Sequence, residues 1–310
     1  MLKRKAMRKI FVTTFVMFIL LTIYFIPSKD DNELGNIVYR YSDSKDISIY
    51  LLNEKDQLAK VNLKIADNSL KETIKSIIKK LTVSNDATIP SGLEQIIPKN
   101  VKVLDVNVDE GIVHINFSKE FLSISNDSIE TVVESISYSI LDLNDITGVS
   151  IYVDGENISK LFPKNILNII TKEYGINRRI ELKNFMDISK IVIYYIDTIN
   201  NQNYYVPITK YVNDKRDKIK IIIDELSSNY IFEPNLITLL DKNIKLMDYE
   251  INNDIMILNF NNSIFMEGDS ILEEVVYTIS YSVFANYDVN EVVFKVNNEE
   301  IAKKTLKVIE

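Results

Sequence analysis

The chain has 310 residues, 46% of them hydrophobic and 26% charged, which suits a packed core and about two domains. Its net charge of -8 and pI of about 5.0 argue against a nucleic-acid binder, which carries a basic face. Cysteine is absent, which excludes a disulfide scaffold, a zinc–thiolate site, a thiol nucleophile, an iron–sulfur cluster and a lipid-modified cysteine.

The N-terminus comes first. Lys3, Arg4, Lys5, Arg8 and Lys9 precede an uncharged stretch over residues 10–26, and Pro27, Asp30 and Asp31 follow it. That stretch is at the short end of what spans a bilayer. The basic flank predicts a cytoplasmic N-terminus and a body outside the cytoplasm, at the cell membrane. Residues 23–28 lack a small-x-small cleavage site, so the expectation for 1–26 is a transmembrane signal-anchor, with a tether over 27–44.

Beyond the tether the sequence repeats itself. Residues 99–105 match 242–248, and the same offset carries Asn116-Phe117 onto Asn259-Phe260 and Ile136-Ser137-Tyr138-Ser139 onto Ile279-Ser280-Tyr281-Ser282. Two long copies are domains rather than solenoid units, which are shorter and need about three copies. In the first copy, residues 47–51 and 59–65 read as strands. A helix is predicted over 69–81 from the spacing of Leu70, Ile74, Ile77, Ile78 and Leu81, with Ser69 and Glu72 placed as a capping box. Strands over 101–108 and 112–117 flank the turn Asp109-Glu110-Gly111, with Val113, Ile115 and Phe117 facing the core. A second helix over 127–141 buries Ile129, Val132, Val133, Ile136 and Ile140, and a last strand over 149–153 ends at Asp154-Gly155. Each copy therefore reads β-β-α-β-β-α-β, an α+β class with both helices on one face of a small sheet. The domains are expected at 45–160 and 190–305. The linker over 161–189 carries Pro163 and a short helix at 165–174 stopped by Gly175.

Few residues invite a chemical role. His114 is the only histidine, and its counterpart is Ile257, so neither a general base with a partner nor a metal site is indicated. Asp142 and Asp145 lack the glycine and glutamate of a calcium loop and read as helix-end solvation. Asp105 with Asp109, or Asp43 with Asp46, are the candidate acid pairs for glycoside chemistry, but nothing else marks a sugar cleft. Ser137-Tyr138-Ser139 and Ser280-Tyr281-Ser282 read as close helix packing, or else as a partner-facing surface. Arg178-Arg179 reads as solvated linker. No catalytic, cofactor-binding or metal-binding residue is assigned.

Three segments carry a family resemblance. Residues 97–104 (Ile-Pro-Lys-Asn-Val-Lys-Val-Leu) are similar to a P-x-G-T-K-L-L motif. Residues 113–121 (Val-His-Ile-Asn-Phe-Ser-Lys-Glu-Phe) are similar to V-x-V-D-F-S-K-E-F, and 148–155 to a strand ending in V-D-G. On these, the chain resembles the tandem GerMN-domain proteins of sporulation and spore germination. The second copy departs, with Asp254 for Gly111 and Asn297-Asn298 for Asp154-Gly155. The resemblance implies domains like ring-building motifs. It also implies a non-enzymatic role in assembling the channel complex between mother cell and forespore, with envelope or channel proteins and the membrane as partners. The alternative is a peptidoglycan- or ligand-binding envelope module.

Overall fold

The computed structural model describes residues 2–25, 44–66, 69–162, 166–182, 184–228, 236–265 and 270–306. Asp43, most of the tether, and Pro163 and Asn165 of the linker lie outside the described residues. The chain divides into two units, Met1–Ser42 and Asp43–Glu310.

In the first unit, α1 (Leu2–Phe25) is a 24-residue helix. The expected membrane-spanning anchor is not supported: among the described residues no helix is long and apolar enough to cross a membrane. The basic cap takes up the first turns of α1. The uncharged remainder, residues 10–25, rises only about 24 Å, against a hydrocarbon core of about 30 Å.

The second unit opens with the hairpin β1 (Ser44–Asn53) and β2 (Leu58–Ala66), followed by α2 (Leu70–Leu81) and a short β3 (Leu93–Glu94). The hairpin β4 (Val103–Asp109) and β5 (Ile112–Phe117) leads to α3 (Ile129–Leu141), β6 (Gly148–Val153) and β7 (Glu156–Asn157). The linker supplies β8 (Arg179–Glu181). The second copy repeats the plan as β9 (Ile188–Ile199), β10 (Gln202–Asn213), α4 (Lys218–Leu226), β11 (Leu246–Asn252), β12 (Ile255–Phe260), α5 (Glu273–Asn286), β13 (Glu291–Val296) and β14 (Glu299–Thr305).

Local chemistry explains most of these elements. Ile74, Ile77, Ile78 and Leu81 bury one stripe of α2, while Leu70 is exposed. The capping box is not formed: the Ser69 side chain makes no cap bond, and Glu72 pairs with Lys75 at 2.7 Å instead. In β5, Val113, Ile115 and Phe117 are fully buried and the alternate residues half-buried. The tight turns hold left-handed residues, Glu110 and Gly111, then Asp154 and Gly155. Asn297 and Asn298 keep the same backbone at φ 51° and 67°, since asparagine tolerates this region. The divergence at that turn is thus conformationally neutral. The expected helix over 165–174 is absent from its described residues. Ile170 instead pairs with Val149, and only Lys172–Tyr174 forms a 3-10 turn, capped by Thr171.

The sheets differ most from expectation. Each copy does build a four-stranded sheet, ordered β4-β5-β6-β7 and β11-β12-β13-β14. Within it β5 and β6, like β12 and β13, run parallel, because a helix carries the chain back between them. The first hairpin of each copy joins a third, shared sheet, in which β2 meets β10 antiparallel at Lys60 and Tyr205. The reason lies in burial. Residues 49–51 of β1 and 191–197 of β9 are buried without alternation, so these strands need cover on both faces.

Candidate functional site at the seam between the repeats

The shared sheet sets the seam. Helices close the outer edges of β1 and β9, beside the short pairing of β1 with β3 at Leu52 and Asn53. Ser139 on α3 accepts from the Tyr50 N–H at 2.9 Å, and Ser135 donates to the Tyr50 carbonyl at 2.6 Å. On α5, Ser282 accepts from the Tyr194 N–H at 2.9 Å, and Asn286 bonds both backbone groups of Val192. The small residues of the two Ser-Tyr-Ser segments therefore serve packing and edge closure. Ser137 and Ser280 hydroxyls are buried with no partner among the described residues.

At the centre the two copies touch through equivalent tyrosines, with the Tyr50 and Tyr194 hydroxyls 3.1 Å apart. Tyr50 donates to Asp142 at 3.2 Å, and the Lys60 ammonium reaches the same carboxylate at 2.5 Å. Lys60 also lies 5.0 Å from the centre of the Tyr281 ring. Burial opposes the charge on Lys60, yet Asp142 and Tyr194 together outweigh it and hold the ammonium above its ordinary pKa. Burial and the nearby Asp142 push the Tyr50 hydroxyl well up, and burial pushes Tyr194 up to about 12. A second tie joins Asn53 to the buried carboxylate of Asp197 at 2.8 Å, with Lys55 on its other oxygen.

The linker clamps the seam. Pro207 of β10 has no N–H to offer across the sheet. Asn177 fills in: its amide donates to the carbonyls of Leu58 and Pro207 and accepts from the Leu58 N–H, at 2.8–2.9 Å. Its backbone N–H goes to Glu134, which Arg178 also contacts at 3.2 Å. Burial nevertheless raises the Glu134 carboxyl to about 7, against those two partners. Beside the seam lies a cavity of about 360 Å³, walled by Tyr277, Tyr281 and Phe284 on one side and by Lys60, Asn62 and Asp142 on the other.

The residues singled out from sequence separate clearly. Asp142, expected to solvate a helix end, is the seam's anion, and Arg178, expected in solvent, is half-buried on Glu130, Glu134 and Tyr174. Asp46 and Asp145 line the cavity. Asp105 and Asp109 are exposed, with Asp105 on Lys71 at 3.3 Å, and Arg179 is exposed in β8. His114 is half-buried in β5, its ring 6.0 Å from Tyr152. Among the described residues no group of three or more His, Asp or Glu is placed to hold a metal ion. Lys60, Tyr194 and Asn177 were not anticipated. Only the unbroken apolar run of β9 signalled a partner on its second face.

Sequence comparison decides the family. A model described as Germane, sporulation and spore germination, matches residues 23–159 and 192–302. The chain belongs to the Germane family. One relative, the spore germination protein GerM of Bacillus subtilis (strain 168), is 24% identical over 265 residues, 81% of this chain and 71% of that protein. The solved tandem GerMN domains of B. subtilis GerM superpose with a TM-score of 0.74 at 23% identity, covering 83% of this chain and 92% of that one. This Germane chain thus has a mixed α+β fold of the tandem GerMN kind.

Proposed function

We propose that the chain is a non-enzymatic assembly protein of the sporulation envelope, working outside the cytoplasm between mother cell and forespore. Its basic and then apolar N-terminus would direct it to the membrane. The carrying observation is a feature repeated on both outer sheets. The end strands β4 and β11 each bulge at one residue, and those residues, Leu104 and Met247, are exposed apolar side chains at equivalent positions. The bulges keep these edges from simple strand pairing, so the matched outward apolar residues offer a side-chain contact to another protein. Tyr50, Tyr194, Lys60 and Asp142 at the centre of the seam, by contrast, are engaged with one another. The test is Leu104→Asp with Met247→Asp in sporulating cells. Spore formation and crosslinking to envelope proteins should fail while the purified protein keeps its unfolding temperature. Normal sporulation would overturn the reading, as would peptidoglycan degradation abolished by one carboxylate substitution.

A further inference from the structure

The pseudo-symmetry of the seam relates two grooves, and the linker fills one of them. Tyr50 and Tyr194, held alike by Ser139 and Ser282, pair with Lys60 and Pro207. Two residues further along lie Asn62 on β2 and Thr209 on β10. The first groove runs between α3 and β10, and the linker occupies it, with left-handed Gly175 and Asn177 on either side of Ile176 before the chain straightens into β8. There Ile176 packs on Tyr50, Leu58 and Tyr138, and its backbone exchanges bonds with Thr209 at 2.8 and 3.0 Å. The chain then continues as β8, an added parallel strand pairing Arg179–Glu181 with β10.

The second groove runs between α5 and β2 and contains the 360 Å³ cavity. Its strand edge is set up in the same way. The outward groups of Lys60 meet β10, so those of Asn62 and Lys64, two and four residues on, also face away from β1. Among the described residues no strand pairs with them on that side. Tyr281 stands where Tyr138 contacts the linker. The charges on the helix side are reversed, while Asp46, Asp142 and Asp145 line the strand end of the same cavity. In the first groove Arg178 meets Glu130 and Glu134. In the second, Tyr277 replaces Glu134, the Lys304 ammonium sits 3.8 Å above its ring, and Glu273, in place of Glu130, is exposed. Neither Lys304 nor Lys64 has a carboxylate partner among the described residues.

We propose that this second groove binds an extended segment of another protein as a strand added to β2. The segment carries an apolar side chain for the tyrosine-lined cavity and, two residues later, an acidic side chain for Lys304. Backbone pairing supplies affinity and the two side chains supply selectivity. The proposal concerns a face separate from the bulged edges above and stands without them.

The probe is a fluorescent peptide with the sequence of residues 172–182 in which Arg178→Glu has been made, titrated into the full-length protein. Saturable binding is expected, about tenfold tighter than for the unaltered sequence. Lys64→Pro removes one outward N–H and leaves the β1–β2 ladder intact, so it should abolish binding with the unfolding temperature preserved. Should that variant fail to fold, the backbone N-methylated peptide makes the same test on the wild-type protein, and its loss of binding is expected. No saturable binding, or binding that survives N-methylation, overturns the site. Preference for the arginine peptide overturns the charge assignment. Concentration-dependent dimerisation blocked by Lys64→Pro would show the occupant to be a second copy of this chain, overturning the separate partner.

Discussion

The two repeats share a core and differ in what they bring to the seam. Phe117 and Phe260 occupy equivalent, fully buried positions, one stacked on Phe121 and the other on Phe294. At the seam the equivalence ends. The first copy contributes the ion pair, Lys60 with Asp142, and the second has Pro207 and Ala285 in those places. The second copy contributes the aromatic wall, and where it carries Tyr277 the first carries Glu134. Duplication preserved the parts that each copy must bury alone. It let the joint specialise, because a group that bridges the two copies is needed once and not once per copy: the first supplies Lys60 and Asp142, and the second supplies Asp197 to Asn53 and Lys55.

The largest test of this comparison is the shared core. Phe117→Ala and Phe260→Ala should each cost about 3–5 kcal/mol in chemical denaturation. If either loses less than about 1 kcal/mol, the cores are not equivalent. A smaller effect is expected at the joint. Lys60→Met strands the Asp142 carboxylate, and since that group is partly exposed the cost should be about 2–3 kcal/mol. In an Asp142→Asn background the same change should cost distinctly less. Equal costs in both backgrounds would mean that the pair is not coupled.

The third test uses pH. A carboxyl raised in the folded state favours folding most when protonated. The Glu134 contribution is therefore full below the unfolded value near 4.5 and is lost as pH rises through about 7. The span amounts to roughly 3 kcal/mol. Glu134→Gln should flatten the fall in unfolding temperature between pH 5 and 8, while Tyr277→Phe at the equivalent position should leave it unchanged. At higher pH the signs of Tyr194 and Lys60 agree. Both have raised values, so both stabilise below about pH 10 and lose that stabilisation in alkali.

Sequence showed whatever depends on neighbours in the chain. The stripe of α2, the alternation of β5 and the hairpin turns follow from spacing and from residues that tolerate positive φ. It misled at the linker, where Ile166 and Ile170 have helical spacing but are buried in an extended chain pairing with β6. It was silent about the seam, where Lys60, Asp142 and Tyr194 come from three elements and two copies. Nothing around Asn177 marks an amide that replaces a proline's missing donor.

That amide also sets an order of events during synthesis. The ribosome delivers β1 and β2 long before Asn177, and Asn177 before β10. In the interval the outer edge of β2 has no chain to complete it, and the hydroxyl of Tyr50 has no partner from the second copy. A nascent first repeat therefore displays an unpaired strand edge and apolar surface, the species most open to misassociation. Asn177 emerges ahead of Pro207, so its bonds to the Leu58 N–H and carbonyl need not wait for the Pro207 carbonyl. The connector can thus cover the early repeat and then use its remaining N–H on the late one.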